Sequence, residues 1–565
     1  MRERRAIVLS VIAVSVVCAT IAAVLLAFSQ LMAAQNATVS AGRLNDRARI
    51  YFPYPPGIIP PDLDSEVQRV RHEIDFIENE ALGQWHALPS PTLAGNPLTA
   101  QGTGARAMQI LGKLELFDET LSVNRNMACS FCHMPYVGFS GPIPSVNLGP
   151  VAYPGSVQYR FGKRKPQEYS YSPFFPVLHH NQAQGAFFGG NFWDSRATGY
   201  KLQSADAEQA QHPDVDPDEM GFPDVACSVF RLSQSRYRDL FEQVWGKGSF
   251  DIKWPHNTEE ICETPRGAAV LAKSNTPVPL SSEDRARVNW AFDHFAQAIT
   301  AYEGSPDISA FSSKFDAFLA GNYKFTPDEM AGYKLFDGKG NCNSCHLDGR
   351  GTTLAAAQKS DKSAAASTAP LFTCFGSANL GLPRNPRDAY YYETKPDSFK
   401  FTPNPSGFQF SDLGLGLFLK SLSGNNPDSD WIRFAPASNG QMQTATARNA
   451  AMTPPGCTTE PGQGKLFQKA FFHNGYIKSL KELVHFYNTR DKYAYPVQSG
   501  HCPAGTTEKV DCWPQPEVPQ NVDKTFGNLG LTDQEETQIV VFLQTLTDGY
   551  TRPYPDINTF TGTCK

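Results

Sequence analysis

The sequence predicts a mainly α-helical fold in two similar halves, with long irregular loops. Three observations predict it. Apolar residues recur at helical spacing in several segments of the 565-residue chain, while strand-like alternation is scarce. The 44 glycines and 43 prolines punctuate long stretches between those segments. One pentapeptide pattern, C-x-x-C-H, occurs twice, as Cys129-Ser130-Phe131-Cys132-His133 and as Cys342-Asn343-Ser344-Cys345-His346.

That pattern is the attachment signature of c-type haem. Two thiols add to the porphyrin and the following imidazole becomes an axial ligand of the iron. A redox dithiol or half of a zinc site would leave the histidine unexplained, and a thioredoxin-like site would need a β-α-β context that is absent. The sequence therefore predicts two covalent haems, bound through Cys129, Cys132 and His133 and through Cys342, Cys345 and His346. Each haem predicts a cytochrome c-like domain around it.

Taken in order, residues 1–35 read as a membrane anchor or signal segment. Ala6 to Phe28 is apolar and uncharged, and Arg2, Arg4 and Arg5 precede it, which predicts a transmembrane helix with its N-terminus inside. Cleavage near Ala33-Ala34 is the alternative, and either way the remainder is exported. Residues 36–100 form an N-terminal extension with a helix at Asp64–Leu82. A first domain follows at 101–310, with helices at Ala107–Phe117 and Arg285–Tyr302, loops at 134–200 and an insertion near 227–279. The second domain, 311–565, opens on Thr326-Pro327-Asp328-Glu329, a capping box with proline at the first helical position. Helices at Leu480–Tyr487 and Thr532–Leu546 complete it.

Composition bounds the partners. A net charge of −6 gives no case for nucleic acid. Of 12 cysteines, four go to haem and Cys18 lies in the apolar run. Cys227, Cys262, Cys374, Cys457, Cys502, Cys512 and Cys564 remain, which fits an oxidising compartment with at least one unpaired thiol. Cys502 and Cys512, and Cys227 and Cys262, are close in sequence, but spacing alone does not fix connectivity.

Several long motifs carry a resemblance: LGKLELFDETLS before CSFCH, FWDSRA at 192–197, HPDVDPDEMG at 212–221, TARN at 446–449, FFHNG at 471–475 and SLKELVHFYN at 479–488. With them the chain resembles the bacterial di-haem cytochrome c peroxidase family, including its MauG-like branch, over roughly residues 105–220 and 325–550. The resemblance implies a peroxidase in which hydrogen peroxide binds at the first haem. It assigns the pocket carboxylate to Glu219, the pocket glutamine to Gln209 (with Gln211 as competitor) and an inter-haem relay to Trp193. It also implies a calcium ion between the domains, held partly by main-chain carbonyls near TARN, where Ala445 replaces the family's proline between Thr444 and Thr446.

Two features point to the MauG-like branch. Residues 134–178 contain no histidine, so the histidine with which many members cap the first iron is missing from that loop, which implies a five-coordinate first haem. Tyr487 stands where other members carry a ligating methionine, and implies a phenolate on the second iron, with His485 as a rival facing elsewhere on the helix. The expected metal ligands are thus His133, His346 and Tyr487. Reducing equivalents would come from a small electron carrier (a cytochrome c or cupredoxin) or from a protein substrate. The expected location is the periplasm, anchored by residues 6–28. The rival functions are a cytochrome c peroxidase that only removes peroxide and a non-enzymatic di-haem electron-transfer cytochrome.

Overall fold

Helices form where caps and apolar spacing coincide. In the computed structural model, which describes residues 54–89, 97–99, 101–158, 160–271, 274, 276–349, 369–422, 429–493 and 502–565, both Thr326 and Thr532 close capping boxes. Each hydroxyl accepts the N–H of the glutamate three residues on, whose carboxylate accepts the threonine N–H in return. The helices used below are α1 Leu63–Ala87, α2 Thr103–Leu116, α3 Ala205–Ala210, α4 Val225–Leu232, α5 Arg238–Trp245, α6 Thr258–Cys262, α7 Ser282–Glu303, α8 Lys314–Leu319, α9 Pro327–Asp337, α10 Leu480–Thr489 and α11 Asp533–Gln544. Sheet among the described residues is confined to three two-stranded pairs.

The insertion expected near 227–279 is folded as α4, α5, α6 and their connections. The Cys227–Cys262 disulfide staples α4 to α6, and Arg285 at the start of α7 grips Asp224 at 2.6 Å. Cys457–Cys564 and Cys502–Cys512 are also bonded, which leaves Cys374 as the odd thiol among the described residues.

The two halves repeat one packing device. Ahead of each C-x-x-C-H a helix is crossed closely by a later one: α2 by α7, and α9 by α11. A glycine makes each crossing possible. A Cβ on Gly112 would stand 2.0 Å from the Ala298 carbonyl oxygen, and one on Gly332 would stand 1.9 Å from that of Gln538. Phe336, Phe372, Leu480, Ile539 and Phe542 fill the core of the second half.

Residues Phe52–Lys565 form one compact unit, and charged side chains cross it. Arg164 pairs with Asp194 at 2.7 Å and with Asp412 at 2.6 Å. Buried Arg448 reaches Asp316 and Asp548. The C-terminal segment returns to the start: Asp556 pairs with Lys113 at 2.6 Å, and Glu73 of α1 accepts both the N–H and the hydroxyl of Thr561. Lys565 donates its N–H to the Leu466 carbonyl at 3.0 Å beside the Cys457–Cys564 bond. Among the described residues no helix is long and apolar enough to cross a membrane. The anchor expected at residues 6–28, with Cys18, lies outside the described residues.

Candidate functional site: two cavities joined at Trp193

Each C-x-x-C-H forms a short 3-10 turn, Cys129–Phe131 and Cys342–Ser344, on the wall of its own cavity. His133 Nδ1 lies 2.9 Å from the Phe139 carbonyl oxygen, and His346 Nδ1 lies 2.9 Å from that of Phe372. A carbonyl can only accept, so Nδ1 carries the proton and Nε2 keeps its lone pair. Burial lowers His133 to about 4, which holds the neutral, ligating form. Phe139 and Phe372 both adopt left-handed backbone, with φ of 55° and 51°. A conformation that ordinarily costs about 1–3 kcal/mol is kept twice, at the two residues whose carbonyls orient the two imidazoles. The donors therefore fit two covalently attached haems.

Glu219, Gln209 and Trp193 line the first cavity with Cys129, Cys132 and His133. Gln209 projects from α3, which Ser204 caps. Gln211 is turned away, donating to the Phe292 carbonyl and to Asp293 on α7. The Glu219 segment is pinned through its backbone: Ser156 N–H donates to the Glu219 carbonyl at 2.7 Å, and Val123 N–H to that of Met220 at 2.9 Å. Burial raises the Glu219 carboxyl, and repulsion from Asp216 adds to the rise, with a smaller push from Asp218; Arg196 and Lys163 pull the other way. Arg196 pairs with Asp194 and lies 3.5 Å from the Phe192 ring centroid. His133 is the one histidine among the residues lining this cavity.

Tyr487, on α10, lines the second cavity with Cys342, Cys345 and His346. Its ring packs against Phe526 at 4.8 Å, and burial pushes its hydroxyl above the usual tyrosine range. His485 is occupied at both nitrogens, by Glu536 at 2.9 Å and by the Val510 carbonyl at 2.8 Å, so it faces away as expected. Met442 also lines this cavity.

Trp193 borders both cavities. Its indole N–H donates to the Lys165 carbonyl at 3.0 Å, and its ring meets that of His473 edge-on at 6.3 Å. The turn that carries it, Asn191 to Ala197, is built again at Phe471 to Ile477, each closed by an isolated antiparallel bridge and each holding a left-handed phenylalanine, Phe192 or Phe472. His473 thus occupies in the second turn the place that Trp193 occupies in the first.

Sequence reasoning missed Lys165 and Glu168, which border both cavities beside Trp193, and Lys469, which borders the second. Nothing in the sequence marks a lysine as buried. Calcium is expected on main-chain carbonyls near TARN, and several carbonyls on either side of that stretch are engaged by the protein itself. That of Thr444 accepts the Thr373 hydroxyl at 2.6 Å, and those of Ala450 and Met452 accept Lys469 Nζ at 3.1 and 2.9 Å. Among the described residues no group of three or more His, Cys, Asp or Glu side chains could hold a metal ion.

Comparison with known proteins shows what this chain is similar to. A model described as di-haem cytochrome c peroxidase matches residues 106–324. The chain is 28% identical over 445 residues to the methylamine utilization protein MauG of Paracoccus denitrificans, covering 78% of this chain and 89% of that one. It is 22% identical over 465 residues to the cytochrome-c peroxidase IdrP1 of Denitromonas iodatirespirans, covering 81% and 84%. Among solved structures it shares its fold with the diheme peroxidase BthA from Burkholderia thailandensis, at 24% identity and a TM-score of 0.53, over 81% of this chain and 90% of that one. The chain is similar to the di-haem cytochrome c peroxidases, MauG among them, and is an oxidoreductase.

Proposed function

We propose that the chain reduces hydrogen peroxide in the cavity of His133 and shares the oxidising equivalents with the cavity of His346. The observation that carries this reading is Trp193, which borders both cavities and is fixed at both its N–H and its ring. When bound, the first haem supplies the iron that meets peroxide, and the second supplies a store for one oxidising equivalent.

The protein's own groups manage protons and position. Glu219 accepts the proton of the nearer peroxide oxygen and returns it to the departing one, so the leaving group is water rather than hydroxide. Its raised pKa suits a group that must both take and give a proton near neutrality. The Gln209 amide orients the peroxide. The indole of Trp193 passes the second equivalent between the cavities. Tyr487, which lines the second cavity with His346, would be the oxygen donor to the second iron and would favour its oxidised form. In this reading 101–310 is the peroxidatic half and 311–565 the electron-transfer half. Two electrons return from a small carrier protein or a protein substrate, and two protons complete the conversion of peroxide to two waters. The three disulfides support an oxidising compartment, the periplasm, with residues 6–28 as tether.

Titrating the resting holoprotein with hydrogen peroxide, followed by electron paramagnetic resonance, tests the proposal. The high-spin signal of the first haem should disappear at about one equivalent and return slowly without a donor. A signal that persists unchanged would sink the reading. Tyr487→Phe should alter the spectrum of the second haem and Met442→Leu should not; the reverse would move the ligand to Met442. Rapid turnover with reduced cytochrome c would instead mark a peroxide-removing enzyme.

A further inference from the structure

Two buried lysines lie beside the cavities: Lys165, which borders both, and Lys469, which borders the second. Lys469 Nζ, 4% exposed as a residue, donates to three main-chain carbonyls: Val137 at 3.2 Å, Ala450 at 3.1 Å and Met452 at 2.9 Å. Three carbonyls cannot donate, so all three contacts need an N–H, and only the ammonium form has three. Lys165 Nζ donates to the Ser140 hydroxyl at 2.8 Å and to the Pro166 carbonyl at 2.9 Å. The contacts at Val137 and Ser140 fall on one short loop, 134–140. That loop also supplies the Phe139 carbonyl, which fixes His133 at 2.9 Å. The main chain of Lys165 meanwhile accepts the Trp193 indole and donates to the His473 carbonyl at 2.7 Å. Burial works against the charge on Lys469, and Glu168, which borders the same space, works in its favour.

We propose that Lys469 is the protein's built-in cation at the junction of the two haem sites, standing where a divalent ion would otherwise tie the halves together, and that Lys469 and Lys165 position His133 through the 134–140 loop. A Ca²⁺ ion needs six to eight oxygens at about 2.3–2.6 Å. Three main-chain carbonyls, of Val137 and, just after TARN, of Ala450 and Met452, already converge on Lys469. An ammonium ion meets the same oxygens at hydrogen-bonding distance and is tethered by its own chain, so removing free metal cannot dislodge it. Both lysines are positioning residues, because they act on the first haem's ligand through the loop rather than by touching a reacting atom.

The test uses the two-haem protein in its resting state, so its outcome does not depend on peroxide being the substrate. Metal analysis after desalting should find calcium far below one ion per chain. The visible and electron paramagnetic resonance spectra should be superimposable in a chelator such as EGTA and in millimolar calcium. One retained calcium per chain, or a spectrum that EGTA changes and calcium restores, would overturn the proposal. The Lys469→Met and Lys165→Met variants should each change the high-spin signal and the iron–histidine stretching band of the first haem, and added calcium should not restore either. A first-haem signature identical to wild type in both variants would refute the positioning role. If a variant yields no folded protein, metal analysis of the wild type still decides the matter.

Discussion

A carboxylate serves as a base only while it is ionised, and Glu219 is held away from that state by burial and by Asp216 and Asp218. The base form fills as pH rises, so the rate of reaction with peroxide should climb through the neutral-to-alkaline range. Replacing both neighbours, Asp216→Asn with Asp218→Asn, removes negative charge, makes ionisation easier and should move that climb to lower pH. Glu219→Gln should slow the reaction by about 10²–10⁴-fold while the resting spectra stay unchanged. Stopped-flow mixing with peroxide across pH measures all three. At this scale the residues that line the cavities were legible in sequence: the C-x-x-C-H cysteines and histidines stand in a contiguous pattern, and Glu219, in a long ordered motif, lines the cavity of His133. Lys165 and Lys469 were not, because burial of a charged group is decided by carbonyls from residues hundreds of positions away or from irregular loops.

At the scale of elements, caps and apolar spacing located α7, α9, α10 and α11 to within a few residues, since those signals are local. The crossings were not legible, because the demand for a missing side chain at Gly112 or Gly332 comes from a helix far along the chain. Gly112→Ala should push α2 from α7 and cost about 1–3 kcal/mol, and Gly332→Ala should do the same between α9 and α11. Thermal unfolding of the holoprotein measures both. Alanine is the better helix former, so intrinsic propensity alone would predict stabilisation, and the sign of the change separates the two effects. The stretch near 227–279 read as an insertion because its apolar residues are split among three short helices, none long enough to show a period by itself.

Across the whole molecule, ion pairs with little exposure tie distant segments, and their pH dependence follows from their partners. Burial alone would raise Asp194, but Arg164 and Arg196 outweigh it and hold it at about 2. Its folded value therefore lies below its unfolded value of about 4, so the stabilisation, roughly 2–3 kcal/mol, is present above that value and is lost as pH falls towards 2. Asp412, paired with the same guanidinium, is depressed as well. Unfolding should therefore become much easier between about pH 4 and pH 2, and Asp194→Asn should flatten that dependence while lowering stability at neutral pH. Denaturant titrations at several pH values measure it. The segment from Asp556 to Lys565, which completes α1 through Glu73 and seals the Cys457 loop, sets an order of events in biosynthesis. A chain delivered N-terminus first exposes both C-x-x-C-H turns long before that segment arrives.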